Sequence, residues 1–287
     1  MFPKYPYIVA EAGINHNGSM RAALEMIQRA KEAGADAVKF QKYVTDEFTT
    51  PDDPLYETFK RCEFSDGVWL VLKKAADRAG IDFFAAAQNP SDLVFLLTLD
   101  VPYVKIGSDE FRNLPLLAEM AKICCKPLIL SCGMSSEYDI FMTLRVLNNY
   151  LYDGSDIAIM ACTSLYPCML QFANVSRVVT LRKALPLTIE VGYSDHTAGS
   201  LAAQLALAQG AVVFEKHFTL SHDMEGPDHE FSVTPSELRQ YIEDINRAKE
   251  ALGSGQFELS PAEQRMREYV LGRRKNLGNA EAARELP

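Results

Sequence analysis

The chain has 287 residues, of which 48% are hydrophobic and 23% charged, and this composition excludes an intrinsically disordered protein. Its net charge of −9 gives no support for a nucleic-acid groove or for binding to an anionic membrane surface. No apolar stretch reaches the ~20 residues that span a bilayer and no secretion signal is visible, so we expect a cytoplasmic protein.

Short apolar segments alternate with amphipathic helical segments along the chain. The predicted strands cover 7–12, 37–41, 83–86, 103–106, 128–131, 157–161, 187–192 and 212–216. The predicted helices cover 20–33, 66–79, 91–98, 114–123, 136–150, 174–184, 199–209 and 235–252, and Gly34 stands at the C-cap of the first. Eight strand–helix pairs predict an α/β fold, a single-domain (β/α)8 TIM barrel over residues 1–255.

An open, doubly wound sheet would show the same alternation of strands and helices. The polar residues favour the barrel, because active-site side chains of a barrel gather at the C-terminal ends of all its strands. Such residues follow nearly every predicted strand: Glu11; Lys39 and Gln41; Gln88 and Asn89; Lys105, Ser108 and Glu110; Ser131; Thr163 and Ser164; Ser194 and His196; Lys216 and His217.

Residues 256–287 are predicted to form a charged tail after the barrel. Its basic cluster consists of Arg265, Arg267, Arg273, Arg274 and Lys275. We interpret this cluster as a solvated helix face, with a neighbouring subunit or a phosphate as alternative contacts. The six cysteines contain no Cys-x-x-Cys pair, so we expect reduced thiols.

Six motifs lie in order at the predicted strand ends. They are Ala10-Glu-Ala-Gly-Ile-Asn-His-Asn-Gly18, Gly34-Ala-Asp-Ala-Val-Lys-Phe-Gln41, Val104-Lys-Ile-Gly-Ser-Asp-Glu110, Ile129-Leu-Ser-Cys-Gly-Met134, Gly192-Tyr-Ser-Asp-His-Thr197, and Glu215-Lys-His-Phe-Thr-Leu220 with Gly226-Pro-Asp-His229. Together they resemble the sialic acid synthase family, which makes sialic, legionaminic and pseudaminic acids. The resemblance implies a transferase that condenses phosphoenolpyruvate with an aldehyde sugar of the N-acetylhexosamine type, giving a 2-keto-3-deoxy sugar acid and phosphate.

His196 and His217 end the seventh and eighth predicted strands, so both imidazoles should point to one place and suit a divalent metal. The resemblance implies a manganese, cobalt or magnesium ion there, which polarises the sugar aldehyde. Asp195 is expected to orient a histidine or the loop. Solvated loop or turn positions are expected for His16, His222 and His229.

Lys39 and Lys105 end two strands inside an apolar barrel mouth, where a lysine requires an anionic partner. The resemblance implies that both bind the phosphate and carboxylate of phosphoenolpyruvate. It assigns further contacts to Gln41, Ser108, Ser131, Ser164 and Ser194. The alternatives are salt bridges to Glu11, Glu110 or Asp228, or a Schiff-base lysine as in an aldolase.

Glu11, Glu110 and Asp228 are the candidate acid–base and hydroxyl-binding carboxylates. By resemblance Glu11 lies beside the reacting centre and Asp228 lies near the aldehyde. Tyr166 is a further expected sugar contact. Pairing of these carboxylates with Lys39 or Lys216 is the structural alternative.

Two features depart from the family pattern. Ala86 occupies the place of a threonine that contacts phosphoenolpyruvate, so one hydroxyl contact worth ~1 kcal/mol is lost, and Gln88 or Asn89 is the candidate replacement. Members of the family that this chain resembles also commonly carry a C-terminal antifreeze-like domain that reaches across a dimer. We expect a homodimer without that domain, and a catalytically degenerate binding subunit as the alternative function.

Overall fold

The computed structural model describes residues 2–150 and 156–277, apart from the side chains of 274–277. Eight parallel strands form a closed barrel in chain order. They are β1 (Tyr7–Gly13), β2 (Ala37–Lys42), β3 (Asp82–Ala87), β4 (Val104–Ile106), β5 (Leu128–Ser131), β6 (Ile157–Cys162), β7 (Glu190–Asp195) and β8 (Val213–His217). The barrel closes where β1 pairs with β8, placing Glu11 opposite His217. The predicted TIM barrel is therefore confirmed, and the open sheet is excluded.

The helices that follow the strands pack around this barrel. They are α1 (Met20–Ala33), α2 (Thr45–Phe48), α3 (Tyr56–Cys62), α4 (Asp66–Ala79), α5 (Pro90–Thr98), α6 (Leu114–Ile123), α7 (Glu137–Asn148), α8 (Arg177–Ala184), α9 (Leu201–Ala208) and α10 (Pro235–Leu252). In α1 the Ser19 side chain accepts from the Ala22 N–H, and Gly34 ends the helix with a φ of 101°. The predicted glycine cap is thus confirmed.

Strand β7 begins later than the sequence predicts. The prediction started at residue 187, but Leu187 is 90% exposed. The Ile189 N–H donates to the Pro186 carbonyl, which makes a turn before the strand begins at Glu190. Residues 187–189 therefore lie in a turn, because the Ile189 N–H bonds within the turn and not to a neighbouring strand.

Helices α2 and α3 are absent from the sequence prediction, which left residues 45–62 as a connection. Both are short, with four and seven residues. They are held by a small hydrophobic cluster in which Phe48 and Phe59 pack against Ile14, Tyr43 and Cys62. This cluster places an apolar wall beside the C-terminal ends of β1 and β2.

The chain divides into two compact units, Met1–Ala251 and Leu252–Pro287. The first contains the barrel. The second contains α11 (Pro261–Leu277), in which Arg265, Arg267 and Arg273 are exposed. The side chains of Arg274 and Lys275, and all of 278–287, lie outside the described residues, and the predicted boundary at 255 stays a prediction.

The sequence predicts that the chain has no membrane-spanning segment and that its cysteines are reduced. Within residues 2–150 and 156–277 no helix is long and apolar enough to cross a membrane. The cysteines, all of which are described, are free thiols, as expected. Burial raises the pKa of Cys132 to about 12 and also raises that of Cys162, so both remain protonated at neutral pH.

Candidate active site

A cavity of about 360 Å³ opens at the C-terminal end of the barrel. It is lined by every predicted site residue except Glu110: Glu11, Lys39, Gln41, Lys105, Ser108, Ser131, Ser164, Tyr166, Ser194, His196, His217 and Asp228. Many of these positions are two apart along one strand or its extension, as in Lys39 with Gln41 and Ser194 with His196. Because alternate residues of a strand face the same side, this spacing aims them into the barrel together.

Four charged side chains meet at the floor of the cavity. The ammonium Nζ of Lys39 lies 2.7 Å from Oε2 of Glu11 and 3.5 Å from Oε2 of Glu215. Lys105 lies 4.0 Å from Glu215 and donates a hydrogen bond of 2.6 Å to the Ser131 hydroxyl. All four are buried, so each charge depends on the others for compensation.

The two carboxylates respond to this arrangement in opposite ways. Burial raises the pKa of Glu11 to about 7, despite the attraction of Lys39. Burial also disfavours the charge of Glu215, but Lys105 and Lys39 outweigh it and lower its pKa. Near neutral pH Glu215 is therefore ionised and Glu11 is partly protonated, so the two lysines face little more than one carboxylate charge. This shortage of negative charge suits an anionic ligand.

The two lysines also differ. Burial works against the charge of both, but Glu11 and Glu215 together raise the pKa of Lys39 above its ordinary value. Lys105 has a more distant carboxylate partner, so burial prevails and its pKa falls. Of the structural alternatives drawn from the sequence, the salt bridge between Lys39 and Glu11 is present, and it lies inside the cavity.

A glycine makes room for hydroxyl groups beside the lysines. A Cβ on Gly133 would lie 2.2 Å from Oγ of Ser164, 2.6 Å from Oγ of Ser108 and 2.8 Å from Sγ of Cys162. The Gly133 N–H donates to the Ser108 hydroxyl, whereas Oγ of Ser164 has no hydrogen-bond partner in the part of the chain that is described. This corner therefore has room and a free hydroxyl for a polar ligand.

His196 and His217 face each other across adjacent strands, with ring centroids 5.4 Å apart. Nδ1 of His196 lies 2.7 Å from the Thr163 carbonyl, so it carries the proton and Nε2 keeps its lone pair. Burial lowers the pKa of His196 and, reinforced by His196, lowers that of His217 well below the ordinary value. Both rings are therefore neutral near pH 7, as a metal ligand requires.

These imidazoles fit a divalent metal. Nδ1 of His217 has no hydrogen-bond partner among the described residues, although it is buried. Among those residues no group of three or more His, Cys, Asp and Glu is arranged to hold a metal. An ion at this pair would therefore use the two imidazoles and leave its other positions to water and substrate.

Tyr166 and Asp228 lie beside the histidines. The Tyr166 ring lies 4.3 Å from that of His196, centroid to centroid. Oδ2 of Asp228 lies 3.7 Å from Nδ1 of His217, and burial raises the pKa of Asp228 to about 6. The cavity thus has a cationic end at the lysines and an end with neutral imidazoles, a phenol and a weakened acid.

Glu110 is not part of this cavity. Its carboxylate accepts a hydrogen bond of 2.7 Å from Nδ2 of Asn113, in the turn before α6. The neighbouring Asp109 lines the cavity instead. The expected role of Glu110 in holding a substrate therefore has no support from its position.

Glu215 was missed by the sequence interpretation, although it lines the cavity and contacts both lysines. The signal was its position two residues before His217 on a strand, which puts both on the inner face. The intervening Lys216 points the other way, contacting Asp195 and the Thr197 carbonyl. Asp195 also accepts from the Thr197 N–H, so it orients the loop, one of its two expected roles.

The other histidines fall into two groups. His222 is exposed, as expected, and lies 3.0 Å from the Glu237 carboxylate. His16 and His229 are buried, contrary to the expectation of solvated positions. The His16 ring stacks on Phe64 at 4.0 Å, and Nδ1 of His229 lies 2.7 Å from the Thr219 hydroxyl. Aromatic packing and neutral hydrogen bonds remove the need for solvent at these rings.

After β3, where Ala86 replaces the expected threonine, the two candidate amide side chains lie in different places. Gln88 lines the cavity next to Ala86, and its Oε1 is without a hydrogen-bond partner within the described ranges. Asn89 is the N-cap residue of α5 and lies away from the cavity lining. Of the two candidate replacements for the threonine, Gln88 is therefore the one in reach of a ligand.

The chain is similar in sequence and fold to several known proteins. The model of the NeuB family matches residues 26–257. The chain is 36% identical to the N,N'-diacetyllegionaminic acid synthase of Legionella pneumophila, over 92% of this chain and 78% of that protein. It is 34% identical to the N-acetylneuraminate-9-phosphate synthase of Mus musculus, over 91% and 75%. Its fold matches the crystal structure of an N-acetylneuraminic acid synthetase from Leptospira borgpetersenii with a TM-score of 0.86, 32% identity, and coverage of 97% and 94%.

Proposed function

The chain belongs to the NeuB family, and we propose that it condenses phosphoenolpyruvate with an aldehyde sugar of the N-acetylhexosamine class. It is a carbon–carbon bond-forming transferase, and its product on this proposal is a 2-keto-3-deoxy sugar acid with release of phosphate. The observation that carries the proposal is the cavity with two buried lysines at one end and two neutral imidazoles at the other.

Lys39 and Lys105 hold the phosphate and carboxylate of phosphoenolpyruvate at the cationic end. Glu215 orients both ammonium groups, and Gly133 leaves space for the ligand beside the hydroxyls of Ser108 and Ser164. Charge-assisted hydrogen bonds to a phosphate are the strongest contacts available there. On this proposal the nucleophile, C3 of phosphoenolpyruvate, points toward the histidine end of the cavity.

His196 and His217 are the residues that would hold a divalent metal, which supplies Lewis-acid polarisation of the sugar carbonyl when bound. Asp228 lies beside His217 and, with its raised pKa, can give a proton to the aldehyde oxygen as C3 bonds to the aldehyde carbon. Tyr166 covers the sugar end by packing against the same imidazoles.

The remaining steps occur at C2 of phosphoenolpyruvate, which becomes electron-poor as its π electrons form the new bond. Glu11 accepts a proton from water as the water oxygen bonds to C2. The tetrahedral intermediate then breaks its C2–O bond to phosphate, and the proton of its C2 hydroxyl passes to the departing phosphate, which leaves the keto acid. Lys39 and Lys105 stabilise the departing phosphate.

The test is release of phosphate from phosphoenolpyruvate with a panel of N-acetylhexosamines, their phosphorylated forms and unmodified hexoses, with and without manganese. Release should require one sugar and the metal. Lys105→Ala should lose about 10-fold to 100-fold in kcat/KM for phosphoenolpyruvate, because it removes a charged contact worth ~1.5–3 kcal/mol. A wild-type chain that releases no phosphate with any sugar would support the degenerate binding subunit instead.

The lowered pKa of Lys105 favours a second candidate, a lysine-imine aldolase acting on pyruvate. Borohydride in the presence of pyruvate would trap such an imine on Lys105. Activity of this kind would be insensitive to chelation.

We propose the homodimer and the cytoplasmic location on the family resemblance, and size-exclusion chromatography with light scattering tests the homodimer.

A further inference from the structure

Two loops cross the seam where the barrel closes. The loop after β1 (residues 14–19) lies beside the loop after β8 (residues 218–234), because β1 and β8 are neighbours. The second loop carries Asp228 to the cavity, 3.7 Å from Nδ1 of His217. The position of this carboxylate therefore depends on whatever holds the β8 loop.

Asn17 holds the β8 loop on both sides of Asp228. Its amide Nδ2 donates to the Glu225 carbonyl at 2.7 Å and to Nε2 of His229 at 3.2 Å. Since Nε2 of His229 accepts, its Nδ1 carries the proton and donates to the Thr219 hydroxyl at 2.7 Å. One side chain thus ties the residue after Asp228 and a carbonyl three residues before it to the β1 loop.

Asn15 makes a second, fully buried anchor. Its Nδ2 donates to the Phe218 carbonyl at 2.9 Å and to the Ser232 hydroxyl at 3.0 Å. That hydroxyl in turn donates to the backbone carbonyl of Asp228 at 2.5 Å. The backbone of Asp228 is therefore connected to the β1 loop through one intermediate side chain.

The close approach of the two loops explains why residue 226 is a glycine. Gly226 has a φ of 153°, and a Cβ there would lie 2.7 Å from Cδ2 of His229 and 3.2 Å from Oδ1 of Asn17. The loop can reach its anchor only without a side chain at this position. Asn17 itself has a φ of 50°, a left-handed conformation that asparagine accepts more readily than most residues.

We propose that Asn17 and Asn15 are positioning residues, whose amides clamp the β8 loop so that Asp228 faces the aldehyde end of the cavity. The inference rests on the proposed function, because it assigns the clamp to the sugar half of the reaction. None of its contacts involves the lysine end, where phosphoenolpyruvate is held. Loss of the clamp should therefore affect the sugar and leave phosphoenolpyruvate binding unchanged.

Asn17→Gly is the sharpest test, because glycine accepts the positive φ while removing both amide contacts. We expect kcat/KM for the sugar to fall at least about tenfold, the size of one to two lost hydrogen bonds, with KM for phosphoenolpyruvate within about twofold of wild type. Asn17→Asp, similar in shape but without the N–H donors, should behave like Asn17→Gly. Equal losses for both substrates, or no loss, would overturn the proposal.

The matched control is Asn174→Gly, at another asparagine of positive φ (43°), in the loop after β6 and away from the active-site cavity. It should leave both kinetic constants unchanged. In an Asp228→Ala background, Asn17→Gly should add less than about twofold, because two residues that act through one group are not additive. Full additivity would show that Asn17 does not act through Asp228.

Amide hydrogen exchange tests the clamp without any activity. Peptides covering 218–233 should exchange faster in Asn17→Gly than in wild type, while peptides of β4 and β5 stay the same. Unchanged exchange in 218–233 would refute the clamp itself. Faster exchange in a chain that turns over no sugar would keep the clamp and count against the proposed function, so the two failures are distinguishable.

Discussion

The cationic end of the cavity depends on unequal pairing of two lysines. Lys39 has carboxylate oxygens at 2.7 and 3.5 Å, whereas Lys105 has one at 4.0 Å and otherwise a hydroxyl and a backbone carbonyl. Because its charge is less compensated, Lys105 gains more from an incoming anion than Lys39 does. An anionic substrate would therefore complete a group of charges that the protein leaves short of negative charge.

On the proposed mechanism, Glu11 should make the reaction depend on pH. Burial raises its pKa to about 7, and it must be ionised to take a proton from water. As pH rises through that value the ionised fraction of Glu11 increases, so kcat/KM should fall about tenfold per pH unit on the acid side. On the alkaline side kcat/KM should fall as well, because Asp228, with a pKa of about 6, loses the proton that it gives to the aldehyde. Glu11→Gln, assayed over the same range, should lose most of the rate and the acid limb. Any acid limb that remains in the pH profile of Glu11→Gln reflects the ionisation of phosphoenolpyruvate or of another group.

Gln88 should carry the contact that Ala86 does not provide. Gln88→Ala is expected to raise KM for phosphoenolpyruvate about 5-fold to 10-fold, the effect of one neutral hydrogen bond. Asn89→Ser is the control: serine also suits an N-cap, and the position lies away from the cavity, so KM should not change. An unchanged KM in Gln88→Ala, or a large gain of activity in Ala86→Thr, would contradict this interpretation of the loop.

At this scale the sequence predicts the cavity well, because the two-residue period of a strand decides which side chains point inward. It places Lys39 and His217 correctly for that reason. It fails where a residue lies beyond the strand, as Glu110 does in a turn that the Asn113 N–H closes by donating to the Glu110 carbonyl. Glu215 follows the same rule, because it lies two residues before His217. The sequence interpretation nevertheless gave this charged residue no role of its own.

Among the elements, the loop after β1 is held by packing as well as by hydrogen bonds. His16 is buried against Phe64 and Phe40, and its Nδ1 accepts from the Gly18 N–H. Gly18 cannot be replaced, since a Cβ would lie 2.2 Å from the Arg61 carbonyl at the end of α3. The short helices α2 and α3 thus support both the apolar wall of the cavity and the loop that carries Asn15 and Asn17.

His16 should make stability depend on pH. Burial lowers its pKa from 6.5 to about 3, so below pH 6.5 the unfolded chain binds a proton that the folded chain does not. The free energy of unfolding should then fall by about 1.4 kcal/mol per pH unit as pH drops from 6.5 toward 3. Urea unfolding of wild type and His16→Gln at pH 7.5 and 5 measures this. The wild type should lose about 2 kcal/mol more than the variant, and equal slopes would contradict the assignment.

The limits of helices and strands were predictable where the hydrophobic pattern repeats over a long segment. The strand and helix limits of β5, α1, α4 and α6 agree with the prediction because a repeating pattern and clear end signals coincide there. Short α2 and α3 carry too few residues for a period to emerge, and their fold depends on contacts with Ile14 and Tyr43 from elsewhere in the chain. The late start of β7 likewise follows from a turn that propensity alone does not reveal.

At the scale of the whole molecule, closure of the barrel brings chemistry from both ends of the sequence together. Glu11 on the first strand lies opposite His217 on the last, and each strand in between supplies or precedes part of the cavity. The site therefore exists only in the closed barrel, and a ligand that bridges β7 and β8 stabilises the whole unit against unfolding.

A divalent metal should accordingly raise the melting temperature. At a hundredfold excess over its dissociation constant, manganese should add ~2.7 kcal/mol, or a rise of roughly 5 °C, because it binds the folded chain alone. Chelation should abolish both this rise and the phosphate-releasing activity, and manganese, cobalt or magnesium should restore them. His196→Ala and His217→Ala should lose the rise and the activity, whereas His222→Ala, at an exposed histidine paired with Glu237, should keep both.

The His217→Ala variant should still fold, since Nδ1 of His217 has no hydrogen-bond partner in the described part of the chain and its removal breaks no such bond. Without metal, the melting temperature of His217→Ala should therefore stay close to that of the chelated wild type. This comparison separates a lost ligand from a damaged barrel, because damage would lower the metal-free melting temperature as well. A His217→Ala protein that keeps the full metal-induced rise, or its full turnover after exhaustive chelation, would show that the imidazole pair does not hold the metal.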